Sequence, residues 1–376
     1  MRLLYLMTEP FGVGGVQSDI LALSEDLGIK GKDHEIYVAT TPGVLLDELK
    51  QNGVHFINLD FRYKGLFGIL HACKQLRKII RKYNIEVLAP QSVRTSIVSY
   101  LSLRLLPYRY RVAATGKRIP IITTIHNIHN PAHFRYAGRI LNRCADYVIF
   151  ESNYERNRCL ASGLQENKSS VVHSGIDTDK FQPMEPVQEL FDKYGLEQGK
   201  HKIFGIVARL SEEKGHDYLL KAFANVHNEN RDARLLIIGD GPLLDSTMAL
   251  SKSLNLDDVV IFTGLQRNIP EHLSILDVFV LSSTRESFPL AAREAMAAGK
   301  SVIAPRIGGC GEVVVDGETG FLFESRNIEE LADKMKKIIS DKTFEKFGIA
   351  SRSRVEEHFS RHQWIAGDER IYLSFT

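Results

Sequence analysis

Short apolar runs recur along the chain, and longer segments suited to helices separate them. In the first half we predict strands near residues 2–7, 34–39, 55–59, 86–89, 120–125 and 147–151. Each run has the length of a buried strand and is bounded by turn signals. Strands that alternate with helices are typical of an α/β fold with an open parallel sheet, which binds ligands at the carboxyl edge of its strands.

The second half shows the same alternation, and its turns carry candidate chemistry. The run Ile203–Val207 predicts a strand, a turn follows it, and a helix begins at about His216. Arg209 and Lys214 lie in that turn. These residue types bind phosphates, arginine through a fork of N–H groups and lysine as a point charge. Two more apolar runs, RLLII and VVIFT, end in glycine turns, the second at Gly264.

A proline marks the start of a helix in the stretch TRESFPLAAREAMAAGK. Proline is favoured in the first helical turn, so Pro289 predicts a helix over Leu290–Ala298 that ends at Gly299. The backbone N–H groups expected at its start belong to Ser287, Phe288 and Leu290. Because such a helix end attracts anions, we expect it to bind a phosphate.

Two glutamates flank this helix start. Glu286 lies just before the helix, and Glu294 lies about one turn inside it. Carboxylates accept hydrogen bonds from hydroxyl groups, so this pair suits a ligand with hydroxyls on both sides of a diphosphate, such as a nucleotide sugar. On the motif alone, an amphipathic helix whose acids face water is the alternative.

His126 follows the apolar run ITTI, at a strand end where doubly wound sheets place their chemistry. A metal cluster of His126 with His129 and His133 is disfavoured, because intervening Asn and Pro residues break any helix that would align them. Asp177 and Asp179 have the spacing of a metal-binding pair, but they lie near the connector between the halves. We therefore expect no metal site.

Three glycines after the first strand, Gly12, Gly14 and Gly15, predict a loop that lets a ligand approach the backbone closely. A dinucleotide-binding fingerprint would place a further glycine three residues after Gly14, where this chain has Gln17. That difference weakens an interpretation as a Rossmann oxidoreductase.

Several stretches follow one another in an order that points to one family. From about 205 to 323 they are GIVARLSEEKG, IIGDGP, FTG and SSTRESFPLAAREAMAAGKSVIAPRIGGCGEVVVDGETGFLF, and the first half adds GVGGVQ, TIHN and SGID. With these motifs the chain closely resembles the family 4 retaining glycosyltransferases of GT-B fold. Two places depart from the family: Ser174 stands where Asn is usual, and 89–92 lacks the usual His-x-His pair.

The resemblance implies the GT-B architecture, two doubly wound Rossmann-like domains that face a central cleft. Residues 1–182 would bind the acceptor, and residues 183–359 would bind the nucleotide-sugar donor. Pro183 and Pro186 fit a connector at this boundary, because proline discourages regular structure. The last helix, at about 360–376, would pack back on the first domain.

The resemblance also implies roles for individual residues. Arg209 and Lys214 would neutralise the leaving diphosphate. Glu286 would position the sugar hydroxyls and Glu294 the ribose, while His126 would approach the donor sugar. The residues expected to be catalytic are Glu286, His126, Arg209 and Lys214. Those expected to bind the donor are Gly14, Gly15, Arg209, Lys214, Gly264, Leu265, Glu286, Ser287, Phe288, Pro289, Leu290 and Glu294.

Charge is unevenly distributed although the net charge is only +2. Residues 1–180 contain 24 Lys and Arg against 16 Asp and Glu, whereas 181–376 contain 24 against 30. Two basic stretches stand out, RKIIRKY at 77–83 and the segment 103–118. The second includes Arg104, Arg109, Arg111, Lys117 and Arg118. Basic residues among apolar ones favour an anionic membrane surface, with ordinary solvated surface as the alternative. No nucleic-acid module is recognisable, so we expect no such partner.

Composition and length indicate a globular protein of two domains, with 44% hydrophobic and 25% charged residues in 376. No apolar stretch reaches the roughly 20 residues that span a bilayer. The four cysteines, Cys73, Cys144, Cys159 and Cys310, show no metal spacing and need no disulfides. We expect no signal peptide and a cytoplasmic location, with peripheral attachment to the inner face of the cell membrane left open.

The sequence thus predicts a retaining, metal-independent hexosyltransferase that needs no cofactor. It would move a sugar from a UDP- or GDP-sugar to a hydroxyl of a saccharide or lipid-linked acceptor, in polysaccharide, lipid-linked oligosaccharide or glycolipid biosynthesis. Two alternatives stay open: a nucleotide-sugar epimerase or phosphorylase of the same architecture, and a non-catalytic nucleotide-sugar binding protein.

Overall fold

The computed structural model describes residues 1–12, 14–29, 34–62, 65–104, 116, 118–128 and 131–376, with only the backbone of 28, 29 and 131–133. Two compact units make up the chain. Unit 1 comprises Met1–Gly175 and Arg361–Thr376, and unit 2 comprises Ile176–Ser360. The chain therefore passes from unit 1 to unit 2 a few residues before the boundary that we predicted at 182.

Unit 1 is built on parallel strands. They are β1 (Arg2–Leu6), β2 (Glu35–Thr40), β3 (His55–Asn58), β4 (Val87–Pro90), β5 (Ile122–Ile125), β6 (Tyr147–Phe150) and β7 (Ser169–Val171). Their order is β3-β2-β1-β4 and β5-β6-β7, and a parallel bridge from Leu88 to Ile121 links the two sets. The sequence pattern missed β7, because two of its three residues are serines and form no apolar run.

Helices follow most of these strands. Unit 1 contains α1 (Gly15–Ser24), α2 (Leu46–Gln51), α3 (Gly65–Tyr83), α4 (Val93–Arg104), α5 (Pro131–Cys144), α6 (Asn153–Ala161) and the last helix of the chain, α15 (Arg361–Ser374). Trp364, Ile365 and Tyr372 of α15 are buried with residues of β1 in one apolar cluster. The Arg361 guanidinium donates to Asp26 and Glu25 at 2.9 and 2.7 Å, which fixes the start of α15 on unit 1.

Unit 2 holds six parallel strands in the described residues. They are β8 (Lys202–Val207), β9 (Ala233–Ile238), β10 (Val260–Gly264), β11 (Val278–Val280), β12 (Ser301–Pro305) and β13 (Gly320–Phe323). Their order across the sheet is β10-β9-β8-β11-β12-β13. From β8 the chain adds strands on one side, and from β11 it adds them on the other. The gap between the carboxyl ends of β8 and β11 is therefore a topological switch point, where such sheets bind ligands.

Helices cover both faces of this sheet. They are α7 (Gln188–Tyr194), α8 (His216–Glu229), α9 (Leu244–Ser253), α10 (Ile269–Ser274), α11 (Leu290–Ala297), α12 (Cys310–Val313), α13 (Ile328–Ser340) and α14 (Phe344–His358). Along β9, Leu235 and Ile237 belong to one apolar cluster and Leu236 and Ile238 to the other. Because successive strand residues point to opposite faces, the continuous apolar run in β9 reflects burial on both sides.

The fold confirms the predicted α/β class, and unit 2 has the Rossmann strand order. The helix predicted over Leu290–Ala298 begins at Leu290 as expected, with Pro289 as its cap, and its last residue is Ala297, one residue earlier than predicted. Gly299 adopts the positive φ of a helix terminus. In the parts of the chain that the structure describes, no helix is both long and apolar enough to cross a membrane.

Candidate functional site

Two loops meet at the switch point of unit 2, and the predicted donor residues lie on them. The loop after β8 carries Lys214, and the loop after β11 carries Glu286. Backbone and hydroxyl hydrogen bonds hold the loops together. The Thr284 N–H donates to the Glu213 carbonyl oxygen at 2.8 Å, and the Ser282 hydroxyl donates to the Lys214 carbonyl oxygen at 2.9 Å. These contacts bring side chains separated by about seventy residues into one site.

Lys214 and Glu286 form an ion pair, which the sequence analysis did not anticipate. Lys214 Nζ lies 2.7 Å from Oε1 of Glu286, and the Ser283 hydroxyl donates to the same oxygen at 2.7 Å. The side chain of Glu286 is 11% exposed and that of Lys214 27%. Within the described residues, Oε2 of Glu286 accepts no hydrogen bond. One carboxylate oxygen is thus held by protein groups, and the other can accept hydrogen bonds from a ligand.

Two glycines let the backbone approach closely around this pair. Gly308 has φ +53°, and a Cβ there would lie 1.7 Å from the Glu286 carbonyl oxygen. Gly215, directly after Lys214, has φ +64°, and its Cβ would lie 2.3 Å from the Ser282 carbonyl oxygen. At both positions only glycine combines this φ with this close approach. The Lys214 and Glu286 backbones are therefore positioned by packing that any larger residue would disturb.

Helix α11 begins three residues after Ser287, beside the same loop. Ser287, Phe288 and Pro289 are buried, while Leu290 and Glu294 of the helix are half-buried. The Gly309 N–H donates to the Ser287 carbonyl oxygen at 2.8 Å, which attaches the loop to the start of α12. The expected donor residues from Glu286 to Glu294 thus lie on one loop and helix next to the ion pair.

Three further expected donor residues of unit 2 lie at strand ends, Arg209 in the loop after β8 and Gly264 and Leu265 at the end of β10. Arg209 is exposed, and no carboxylate among the described residues lies within ion-pair distance of it. Gly239 N donates to the carbonyl oxygen of Gly264 at 3.0 Å, and a Cβ on Gly239 would lie 2.0 Å from the Ala208 carbonyl oxygen. Leu265 is 71% exposed. Arg209, Gly264 and Leu265 therefore share the carboxyl edge of the sheet.

In unit 1, His126 lies in a buried polar cluster at the carboxyl edge. Its Nδ1 lies 2.5 Å from Oε1 of Glu151, just after β6, and 3.5 Å from Oδ2 of Asp19 on α1. Its Nε2 lies 2.7 Å from Oε1 of Gln91, the residue after β4. Consecutive parallel strands end at this edge, so residues far apart in sequence meet around one imidazole ring.

The hydrogen bonds define the protonation state of His126. The Gln91 amide nitrogen donates to the Ala89 carbonyl oxygen at 3.0 Å, and a carbonyl can only accept. The amide oxygen of Gln91 must then face His126, so Nε2 carries a proton. Nδ1 faces the Glu151 carboxylate and carries the other. Both ring nitrogens donate hydrogen bonds, and His126 is an imidazolium cation.

The electrostatics agree with this geometry. Burial alone would lower the pKa of His126, but the carboxylates of Glu151 and Asp19 outweigh it and raise the pKa to about 10. The pKa of Asp368 on α15 is also raised, to about 8, because of burial and the nearby Glu151 charge. At neutral pH His126 is thus an imidazolium, and the buried Asp368 carboxyl group is protonated.

Among the described residues, Asp19, His126 and Glu151 are the one group of side chains spaced closely enough to hold a metal ion. In this arrangement both nitrogens of His126 face protein acceptors, Oε1 of Glu151 and Oε1 of Gln91. Asp177 uses its carboxylate to accept the N–H groups of Asp179 and Lys180 at 3.2 and 2.9 Å, as a turn residue.

Other predicted features of unit 1 are only partly described. Gly14 precedes α1 and Gly15 opens it, and a Cβ on Gly15 would meet nothing within 4 Å. Among the described residues, no packing contact therefore requires glycine at position 15. His129 lies outside the described residues, and the side chain of His133 is not described.

Two arginines of the basic segment 103–118 are described, and both pair with Asp146. Arg104 is 14% exposed, and its Nη2 donates to Oδ2 of Asp146 at 3.0 Å. Arg118 also pairs with Asp146. The expectation of a surface cation is wrong for Arg104, which fixes the chain near β5 instead. Three further members, Arg109, Arg111 and Lys117, lie outside the described residues.

Sequence reasoning missed the partners of the predicted residues. Gln91 and Glu151 each follow a strand directly, so the rule that singled out His126 could have found them. Asp19 lies on α1 and Ser283 in an ordinary loop, and no local signal marks either.

Comparisons with known proteins match both halves of the chain. The family model "Glycosyltransferase Family 4" matches residues 13–180, and the model "Glycosyl transferases group 1" matches residues 187–354. The N-acetyl-alpha-D-glucosaminyl L-malate synthase of Bacillus anthracis is 26% identical over 81% of this chain and 78% of its own length. A UDP-Gal:alpha-D-GlcNAc-diphosphoundecaprenol alpha-1,3-galactosyltransferase of Escherichia coli is 25% identical over 80% and 78%. A GDP-mannose-dependent mannosyltransferase of Mycolicibacterium smegmatis, named for phosphatidylinositol monomannoside, is 29% identical over 61% of each chain.

Solved structures agree in fold over the whole chain. A glycosyltransferase from Rickettsia africae superposes with a TM-score of 0.85 at 24% identity, over 100% of this chain and 98% of its own. The Anabaena protein HepE, crystallised with UDP, gives 0.83 at 21% identity, over 100% of both chains. At these identities the likeness establishes the fold.

Proposed function

Because the chain belongs to the family 4 glycosyltransferases of GT-B fold, and so uses a nucleotide sugar, we propose that it transfers a hexose from UDP- or GDP-sugar with retention of configuration. The acceptor is a hydroxyl group of a saccharide or of a lipid-linked saccharide. The reaction needs no metal ion, because protein cations stabilise the leaving group.

The observation that carries the proposal is the Lys214–Glu286 pair at the switch point. A nucleotide sugar presents a diphosphate and sugar hydroxyls side by side, and the pair offers a cation and a carboxylate at the same place. Glu286 Oε2 accepts hydroxyl hydrogen bonds from the sugar, while Lys214 remains close enough to contact a phosphate oxygen. Arg209, which has no carboxylate partner among the described residues, contributes a second cation.

The proposed step breaks the bond between C1 of the sugar and the diphosphate oxygen, and forms a bond between C1 and the acceptor oxygen. The acceptor proton passes to the leaving diphosphate on the face from which it departs, so no protein nucleophile is needed. Products are the glycoside and the nucleoside diphosphate. Negative charge grows on the diphosphate during this step, and preorganised cations stabilise it more in the transition state than in the ground state.

For His126 we keep the role implied by the family resemblance, contact with the donor sugar. Its charge defines what it contributes there. Both N–H groups of the imidazolium are bonded to Glu151 and Gln91, so the ring adds positive charge but can neither donate a further N–H hydrogen bond nor accept a proton. His126 therefore acts as an electrostatic and positioning group and not as a general base.

Relatives named for UDP-Gal and for GDP-mannose both match the chain. The first experiment therefore determines which nucleobase the donor carries. Purified protein is heated with UDP, GDP and ADP and with their glucose, galactose, N-acetylglucosamine and mannose derivatives. A ligand at 100 times its dissociation constant adds about 2.7 kcal/mol to the free energy of unfolding. One base is expected to stabilise the protein, and stabilisation by none of them would contradict the donor assignment.

The chosen donor is then incubated with undecaprenyl-diphosphate saccharides, phosphatidylinositol glycosides and free saccharides, with and without EDTA. Nucleoside diphosphate should appear only with the correct acceptor, EDTA should leave the rate nearly unchanged, and NMR of the product should show the anomeric configuration of the donor. Turnover without an acceptor favours an epimerase, whereas donor binding without turnover on any acceptor favours a binding protein. A complete loss of activity in EDTA, restored by Mg²⁺, would overturn metal independence.

A further inference from the structure

Helix α3 of unit 1 exposes large apolar side chains at its start. Leu66 is 70% exposed, Phe67 89% and Leu70 51%. The opposite side of the helix is buried through Ala72, Cys73, Leu76 and Ile80, which belong to an apolar cluster with residues of β1 and β4. The exposed residues lie on the solvent side and do not support the core.

The same solvent side continues as a cationic stripe. Lys74, Lys78 and Lys82 are exposed and follow Leu70 at intervals of four, which places them on one face of the helix. The sequence of α3, GLFGILHACKQLRKIIRKY, contains no acidic residue. Among the described residues, no carboxylate lies within ion-pair distance of these three lysines. Their charge is therefore available to an external anion.

A cavity of about 500 Å³ opens beside this stripe. Lys78, Lys82 and Gln75 of α3 line it together with Asn58 at the end of β3. Asp60 also lines it, but its carboxylate already accepts three hydrogen bonds from Arg62, at 2.7, 3.1 and 3.3 Å. Two lysines and two amide side chains at a cavity mouth suit a phosphate group.

We propose that α3 is a docking surface for an anionic phospholipid bilayer, in which Leu66, Phe67 and Leu70 enter the boundary between headgroups and acyl chains. Lys74, Lys78 and Lys82 then lie against the headgroups, and the cavity receives a headgroup phosphate. An apolar end followed by a cationic stripe on one helix fits a surface that is apolar inside and anionic outside. The docking goes beyond the proposed sugar transfer and does not require it.

The first test is co-sedimentation with phosphatidylcholine vesicles, with and without 30% phosphatidylglycerol. Each lysine near an anionic surface raises the partition coefficient onto the vesicles about fivefold. Replacing Lys74, Lys78 and Lys82 by Ser should therefore lower that coefficient about 100-fold. The matched control replaces three exposed lysines of unit 2 by Ser, Lys180, Lys252 and Lys346, for the same change in net charge. Raising salt from 0.1 to 1 M shortens the Debye length from about 10 to about 3 Å and should release the wild type.

The second test determines whether the apolar residues at the start of α3 enter the bilayer. The single tryptophan, Trp364, is 4% exposed, so its emission should change little on binding. In the Phe67→Trp variant, anionic vesicles should shift the emission to the blue. Ile349→Trp, at a position 73% exposed in unit 2, should show no shift. Replacement of Leu66, Phe67 and Leu70 by Ser should weaken binding by at least tenfold.

Three results would overturn the docking proposal: equal partition onto neutral and anionic vesicles, equal loss in the two triple-lysine variants, or an unshifted Phe67→Trp emission. Donor binding is measured separately, by thermal stabilisation without vesicles. If docking fails, nucleotide-sugar stabilisation is unaffected, and if the proposed transfer fails, vesicle binding by α3 is unaffected. The two proposals therefore fail in distinguishable ways.

Discussion

The amide oxygen of Gln91 lies 2.7 Å from Nε2 of His126, and the amide nitrogen of Gln91 donates to the Ala89 carbonyl oxygen at 3.0 Å. Gln91 thereby keeps a proton on Nε2 while Glu151 keeps one on Nδ1. Gln91 belongs to the segment 89–92, where the resemblance implied a His-x-His pair, and it contacts His126 instead. This arrangement gives His126 a fixed positive charge across the physiological pH range.

The first prediction is that the charge of His126 does not change with pH in the physiological range. Because its pKa is raised to about 10, activity should show no inflection from this residue near pH 6.5. Glu151→Gln removes the nearest carboxylate, so the pKa of His126 should fall and its inflection should move to lower pH than in the wild type. The pH–rate profile and ¹⁵N NMR of the histidine rings measure this. A wild-type His126 ring that titrates near pH 6.5 would contradict the assigned charge.

Stability should decrease as pH rises above neutrality. The folded-state pKa of His126 is about 10, against about 6.5 for unfolded histidine. The contribution of His126 to the free energy of unfolding is therefore fully present below pH 6.5 and is lost as the pH rises towards 10. Asp368 acts in the same sense over a lower range, since its folded-state pKa is raised to about 8. Urea unfolding at pH 6.5, 8 and 10 should show the decrease, and His126→Gln should make it shallower.

Arg209→Ala and Lys214→Ala should each reduce kcat by about two to three orders of magnitude, because preorganised charge on the leaving group is worth roughly 2.7 to 4 kcal/mol. Their effects on stability should differ. Arg209 is exposed without a carboxylate partner among the described residues, so its loss should leave Tm unchanged, whereas Lys214→Ala removes the partner of Glu286 and should lower Tm slightly. Lys252→Ala, at an exposed site on α9, serves as the control. Normal turnover in either variant would contradict the proposal that the replaced residue stabilises the leaving diphosphate.

Glu286→Gln and Glu294→Gln should give different signatures. Glu286 is assigned to the sugar, so its substitution should lower kcat and leave the Kd of free nucleoside diphosphate nearly unchanged. Glu294 is assigned to the ribose, so its substitution should weaken nucleoside diphosphate binding about tenfold, the loss of one charge-assisted hydrogen bond. Calorimetric titration beside initial rates separates the two. The reverse pattern would exchange the roles.

Gly308→Ala should damage the site through the backbone. A Cβ there would lie 1.7 Å from the Glu286 carbonyl oxygen, so the loop that carries Glu286 must move. We expect a loss of at least 2 kcal/mol in stability, about 1 kcal/mol of it from the positive φ, and a large fall in kcat. Gly195→Ala is the matched control, with φ +63° and nothing within 4 Å of its Cβ. Equal effects of the two substitutions would show that strain alone, and not the contact with Glu286, matters.

The sequence alone determined the local structure. Apolar runs of four to six residues located β1, β8 and β9 within a residue or two, since burial on both faces of a parallel strand leaves an unbroken apolar run. Pro289 and Gly299 marked the two ends of α11, because both act through their own backbone angles. Motif order then identified the family, and the strand-end rule singled out His126.

The tertiary structure decided which of these residues meet and in what charge state. Lys214 contacts Glu286 because β8 and β11 are neighbours in the sheet, and periodicity along the chain does not encode strand order. Gln91, His126 and Glu151 meet for the same reason, at the ends of β4, β5 and β6. Their burial makes the ion pairs strong enough to raise the pKa of His126, and burial depends on the packing of distant segments such as α15. Local patterns reach only a few residues, so a site assembled across a sheet requires the fold.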